Sequence, residues 1–131
     1  MTENCIFCKI INKEIPSYVI YEDEDVMAFL DAFPIMLGQV LVVPKEHIDY
    51  LFDFDDKDYS KVMLITKKLV KAIDKVLKPV KTGLVVEGLE IDHAHVKLYP
   101  LFEQGFKAEA IKQPSEQEMK DISEKIKKEI K

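Results

Sequence analysis

The stretch Gly38-Gln39-Val40-Leu41-Val42-Val43-Pro44 limits the fold more than any other part of the chain. Its apolar run is nearly continuous, so it reads as a strand at the centre of a sheet, covered on both faces. Ser17–Tyr21 is rich in β-formers, Glu22-Asp23-Glu24-Asp25 is a polar turn, and Val26–Asp31 is a second strand, so the pair reads as a hairpin. Asp55–Lys78 is the longest helix. Asp55, Asp56 and Asp58 suit its positive end, Lys75 and Lys78 suit its negative end, and Pro79 stops it. Its apolar stripe holds Tyr59, Val62, Leu69, Ile73 and Val76, widened by Met63, Val70 and Leu77 and extended round the helix by Leu64 and Ile65. Such width fits one broad core face, or a helix that covers a sheet and also meets a second subunit.

Two further strands come next, Val80–Glu87 and Asp92–Pro100, the latter ended by its proline. Near the N-terminus, Lys9–Glu14 is expected as a short helical turn, stopped by Ile15-Pro16 because a residue before proline avoids the helical region. Leu101–Gln113 has weak periodicity and reads as a loop with room for a short strand. Ser115 and Glu118 form a capping box that opens a last helix, with Met119, Ile122, Ile126 and Ile130 as a narrow apolar stripe. The expected fold is α+β: a mostly antiparallel five-stranded sheet, one long helix and an added C-terminal helix. Residues 1–110 are expected to form the domain, with 111–131 a helical extension packed on it or on a partner.

Composition removes several function classes. The chain has 131 residues, enough for one domain with a real core. All 19 of its basic residues are lysine and the net charge is −5, which argues against a nucleic-acid groove but leaves room for a single nucleotide at a local site. No apolar run approaches the roughly 20 residues needed to cross a membrane. The first residues carry no secretory pattern, so a cytoplasmic location and reduced thiols are expected.

Chemistry concentrates in Asp92-His93-Ala94-His95-Val96-Lys97-Leu98-Tyr99-Pro100. Alternation along a strand puts His93, His95, Lys97 and Tyr99 on one face and Ala94, Val96 and Leu98 on the other. An edge strand with polar residues in water is the plain alternative. Cys5-Ile6-Phe7-Cys8 supplies two thiolates, half of a zinc site. A redox motif would come after a strand, which is missing here; two incidental buried thiols are the remaining reading. His47, just past the central strand, is a candidate fourth ligand beside Cys5, Cys8 and His93. Asp31, an acid at the end of an apolar strand, either forms a turn or accepts hydrogen bonds from ribose hydroxyls.

Taken together, Cys5-Ile6-Phe7-Cys8-Lys9-Ile10-Ile11, Glu14-Ile15-Pro16, Ala28-Phe29-Leu30-Asp31, Leu41-Val42-Val43-Pro44-Lys45-Glu46-His47, and Gly88 five residues before His93-Ala94-His95 resemble the histidine triad (HIT) superfamily, Hint-like branch. The resemblance runs from about Cys5 to Pro100. It implies a HIT-like fold, a homodimer formed through the long helix, and a nucleotide hydrolase or nucleotidyl transferase. The substrate would be a purine nucleoside phosphoramidate or dinucleoside polyphosphate, cleaved at the α-phosphate through a nucleotidyl-histidine on His95. It also implies that Asp31 binds ribose, that Ile6, Phe7, Ile10, Phe29 and Ala32 line the base and sugar pocket, and that Gln39 also binds the nucleotide. Structural zinc would sit on Cys5, Cys8, His47 and His93, as in the CxxC-bearing subset. The chain departs from the family pattern in four places: Lys97 at the third triad position, Gln39 where histidine is frequent, and Glu87 and Glu90 where neutral phosphate contacts are usual. Lys97 can still hold a phosphate oxygen and keep His95 neutral. The alternative is a zinc-stabilised nucleotide-binding module with weak or no catalysis.

Overall fold

The computed structural model describes residues 4–103, 105–106 and 112–130. The elements run α1 (Ile6–Ile11), β1 (Val19–Glu22), β2 (Val26–Leu30), β3 (Val40–Pro44), a 3-10 turn (Leu51–Asp53), α2 (Asp56–Leu77), β4 (Lys81–Val85), β5 (Val96–Leu101) and α3 (Glu116–Glu129). The strands form one five-stranded sheet in the order β1-β2-β3-β5-β4, and every neighbouring pair is antiparallel. No helix among the described residues is long and apolar enough to cross a membrane.

β3 is the middle strand, and all its residues are buried, as are those of β2. Alternation sorts their side chains. Val26, Ala28, Leu30, Val40 and Val42 join Val96 and Leu98 on one face, packed against Val62, Leu69, Ala72 and Ile73 of α2 and Met119 and Ile126 of α3. Met27, Phe29, Leu41 and Val43 face the other way and meet Cys5, Phe7, Cys8 and Ile10 of the α1 segment. Each large apolar side chain so covered contributes roughly 1.5–3 kcal/mol relative to exposure. α3 is thus part of the main core, packed on α2 and β1.

Helix ends obey their caps. Asp55 accepts from the Asp58 amide at 2.8 Å, and Lys78 closes α2 in the left-handed region at φ 52°. Ser115 and Glu118 form the expected capping box. Gly38 turns the chain into β3 at φ 85°, and a Cβ there would collide with Leu77, so this turn seats against the end of α2.

Three expectations need correction. α1 starts at Ile6 rather than Lys9, because Cys5 itself is the N-cap, its Sγ accepting from the Cys8 amide. β5 begins at Val96, so His93 and His95 lie in the segment that leads into the strand and keep only its alternation. Pro100 does not end β5. The strand pairs with β3 only as far as Leu98, and a proline is tolerated where a strand has a free side. Leu64, which extends the apolar surface round α2, is 67% exposed, as a helix face free to meet another subunit would be, while Thr66 is buried, its hydroxyl donating to the Val62 carbonyl at 2.8 Å. Of the loop expected over 101–113, Leu101 belongs to β5, and residues 104 and 107–111 lie outside the described residues.

Asp23 organises the β1–β2 turn. Its Oδ1 accepts from the amides of Asp25 and Val26 at 2.7 and 2.8 Å, and its Oδ2 from the Tyr21 hydroxyl at 2.7 Å. Burial and this carboxylate push the Tyr21 phenol up to about 12. Burial works against the Asp23 carboxylate, but the three hydrogen bonds outweigh it and lower its pKa. Its contribution is therefore fully present above the unfolded value of about 3.9 and fades as pH falls through the lower folded value. Asp23→Ala should destabilise the fold by about 1–3 kcal/mol in urea unfolding at pH 7. The gap between variant and wild type should narrow as the titration is repeated below pH 4.

Candidate functional site

The site lies on the α1 face of the sheet, where β3 ends and the segment before β5 begins. Cys5, Cys8, His47 and His93 converge there, their ligand atoms all within 4.8 Å of one another. Each comes from a different kind of place. Cys5 caps α1 and Cys8 sits in its first turn, His47 comes just after the end of β3, and His93 precedes β5. Cys5 Sγ is 3.3 Å from His93 Nδ1, Cys8 Sγ is 3.3 Å from His47 Nδ1 and 3.5 Å from His93 Nδ1, and the two Nδ1 atoms are 3.1 Å apart. Tetrahedral zinc with ordinary bond lengths asks for edges of about 3.5 Å between sulfur and nitrogen and about 3.3 Å between nitrogens. The four edges given match to within a few tenths, and the remaining two lie within 4.8 Å.

The tautomer of His93 strengthens the fit. Its Nε2–H donates to the Pro44 carbonyl at 2.7 Å, which leaves a lone pair on Nδ1, aimed into the cluster. Burial, outweighing that hydrogen bond, lowers its pKa and favours the neutral ring. Burial also raises the Cys5 thiol, with part of the push from Cys8. Two thiols and two imidazoles that converge on their electron-rich atoms form a group that could hold a metal ion. Both cysteines are free thiols.

His95 is buried beside this cluster. Its Nδ1–H donates to the His93 carbonyl at 2.7 Å, so the lone pair of the neutral ring is on Nε2. Burial lowers its pKa first of all, and Lys97 adds to this, while the His93 carbonyl, Glu87 and Asp31 oppose it. Phe7 of α1 packs edge-on against the imidazole with ring centres 4.9 Å apart, and reaches His93 and Phe29 at 5.9 Å each. Lys97, two residues after His95, is already paired. Its Nζ makes an ion pair of 2.9 Å with Glu87 Oε1. Burial works against that ammonium, but Glu87 outweighs it and raises the lysine, while Lys97 in turn lowers Glu87. Glu90 is exposed in the turn beyond.

Asp31 performs the turn role expected of it, and more. Its Oδ1 accepts from the Phe33 amide at 3.0 Å and its Oδ2 from Gln39 Nε2 at 2.7 Å. Gln39 is buried, and its Oε1 accepts from the Ile35 amide at 2.9 Å. The side chain at this position is thus spent on holding Asp31 and the loop 31–39. Each carboxylate oxygen of Asp31 retains a second acceptor site. Phe7, Ile10 and Phe29 are buried against each other and the sheet, whereas Ile6 and Ala32 are exposed at the surface above them.

Two groups that matter here have no sequence signal, because they are backbone. The Pro44 carbonyl sets the tautomer of His93, and the Ile48 carbonyl accepts from the Ala94 amide at 2.6 Å, tying the segment between the histidines to the chain after β3.

Comparison with known proteins gives the family. The HIT domain matches residues 12–104. A HIT-like protein of Borreliella burgdorferi is 41% identical over 114 residues, covering 79% of this chain and 82% of its own. Adenosine 5'-monophosphoramidase HNT1 of Saccharomyces cerevisiae is 38% identical over 97 residues, covering 73% of this chain and 61% of its own. A solved HIT-like protein of Bartonella henselae superposes with a TM-score of 0.85 at 28% identity, with 98% of each chain covered. The fold and the order of the site segments define a histidine triad protein. The chain belongs to the HIT family. The matched span begins after Cys8 and ends before α3, so the thiol half of the metal cluster lies outside it.

Proposed function

We propose that the chain is a hydrolase or nucleotidyl transferase that cleaves a purine nucleoside phosphoramidate, or a dinucleoside polyphosphate, at the α-phosphate through His95. The observation that carries this is the His95 tautomer: Nδ1–H is committed to the His93 carbonyl and the lone pair is on Nε2. In the first step Nε2 forms a bond to phosphorus, and the bond to the amine nitrogen, or to the bridging oxygen of the second nucleoside's polyphosphate, breaks with its electron pair. The departing nitrogen takes up a proton from water. In the second step water attacks the phosphorus and gives up a proton to solvent, the N–P bond breaks back to Nε2, and the nucleoside monophosphate leaves with a free His95. Lys97 would hold a phosphate oxygen as charge builds on it. Asp31 would accept from the ribose hydroxyls, fixed in place by Gln39. Ile6 and Ala32 would meet the base and sugar over a floor of Phe7, Ile10 and Phe29. The name of the yeast relative, a monophosphoramidase, supports the phosphoramidate as the first substrate to test.

Cys5, Cys8, His47 and His93 would hold zinc. Four protein ligands close its tetrahedron, so its contribution is to pin α1 and the segment before β5 to the end of β3. A homodimer through α2, where Leu64 stands exposed, and a cytoplasmic setting complete the proposal.

One observation favours a second reading. The Lys97–Glu87 pair already occupies the ammonium, which suits a module that holds a nucleotide without efficient turnover. Release of AMP from adenosine 5'-phosphoramidate separates the two. Wild type should turn over, and His95→Ala should lose at least about a thousandfold. Equal, buffer-level release from both would sink the enzyme and leave the binding module, which Asp31→Ala should then weaken for AMP in calorimetry. For the metal, protein purified without added metal should carry about one zinc per chain; less than about half an equivalent would count against the site. Cys8→Ala should empty it and lower the melting temperature on the order of 10 °C. Sedimentation equilibrium should report two chains, and Leu64→Glu should shift the mass toward one.

A further inference from the structure

The charges that bear on His95 are Lys97, Glu87 and Asp31, and two of the three are negative. The same two acids bear on Lys97 itself. A nucleotide phosphate that comes to His95 therefore meets two carboxylates for one ammonium among these three groups.

The sheet sets this geometry. Val85 is paired with Lys97 across β4 and β5. Glu87 lies two residues beyond Val85 on the line that runs toward His95, and its Oε1 comes back to Lys97 Nζ at 2.9 Å. The side chains differ in access: Lys97 is 21% exposed and Glu87 46%. The carboxylate is thus the outer partner and the ammonium the inner one. An arriving anion meets Glu87 before it meets Lys97, and must share or displace it to use the lysine.

We propose, resting on the reading that His95 receives a nucleotide phosphate, that Glu87 determines specificity as a charge filter. The site then takes nucleoside phosphates carrying one negative charge on a single phosphate, such as amidates, and discriminates against polyphosphates. A singly charged phosphate can share Lys97 with Glu87. The charges on the group beyond the α-phosphate add repulsion from that carboxylate, together worth about tenfold once solvent screens the outer ones. Asp31 adds to the penalty but is held by Gln39 and the Phe33 amide, whereas Glu87 is held only by its lysine among the described residues.

Glu87→Gln tests this, since its amide oxygen can still accept from Lys97 while the charge is gone. The comparison is kcat/KM for adenosine 5'-phosphoramidate against diadenosine tetraphosphate, without added divalent ions, in wild type, Glu87→Gln and Glu90→Gln. Glu87→Gln should raise the tetraphosphate value relative to the phosphoramidate value by about tenfold, and added salt should narrow the wild-type preference. Glu90→Gln should leave the ratio within about twofold. An unmoved ratio in Glu87→Gln, or an equal shift in Glu90→Gln, overturns the proposal. Calorimetry with AMP and ATP on the same proteins reads the filter without turnover, and Glu87→Gln should improve ATP binding relative to AMP by a similar factor. If no substrate is cleaved but the AMP-to-ATP ratio moves, the filter stands and the proposed reaction falls. If substrate is cleaved and neither ratio moves, the reaction stands and the filter falls.

Discussion

Two strands buried on both faces need two covers, and among the described residues only one of these is large. α2 and α3 supply the first. The second is α1, a helix of six residues, too short to hold itself in place by its own hydrogen bonds. What fixes it is the convergence of Cys5 and Cys8 on His47 and His93, at the point where β3 ends and the segment before β5 passes. Phe7 lies between the two cysteines and therefore lands on His95, Phe29 and His93 together. The cover of the minor face and the wall of the candidate site are the same six residues. Loosening the cluster would expose Met27, Phe29, Leu41 and Val43 and unseat the ring that packs against His95 in one event.

Much of this is legible in the sequence because it obeys short-range rules. The apolar run of β3 has no reading except a strand covered twice, and the capped, dipole-matched span from Asp55 to Lys78 matches α2 to within a residue at either end. The four residues of the candidate metal site are legible as types: two thiols and two imidazoles in a chain with just three histidines. The misses have physical causes. A thiol is an unusual N-cap, so the ordinary capping rules put the start of α1 three residues late. A proline in a strand is read as a stop unless one knows that β3 has already left its neighbour by Leu98. Thr66 looks polar in sequence, but a hydroxyl that donates to the preceding turn can be buried like an alanine.

Gln39 and Asp31 show a different limit. Sequence reasoning can name each as facing a ligand, but not that the first is spent on the second. An amide with both ends satisfied inside the protein is a positioning group, and that depends on the fold of the loop 31–39, which carries no periodicity. The Pro44 and Ile48 carbonyls are further still from view, since every residue has one and only the tertiary path selects which matters.

Lys97 is where local chemistry and family pattern part. A histidine at that place could act as donor or acceptor and lose its charge near neutral pH; a lysine there is a permanent cation on a flexible stem. Left alone beside His95, such a charge would draw any anion. Glu87 prevents that by lying across it, just past a neighbouring strand whose register brings the two within hydrogen-bonding distance. The substitution and the carboxylate make sense only as a pair. With lysine alone the site would be a general phosphate trap, and with glutamate alone it would repel every nucleotide. Held together, they leave a positive group that an anion reaches only by competing with a fixed negative one, and charge number becomes a property the site can read.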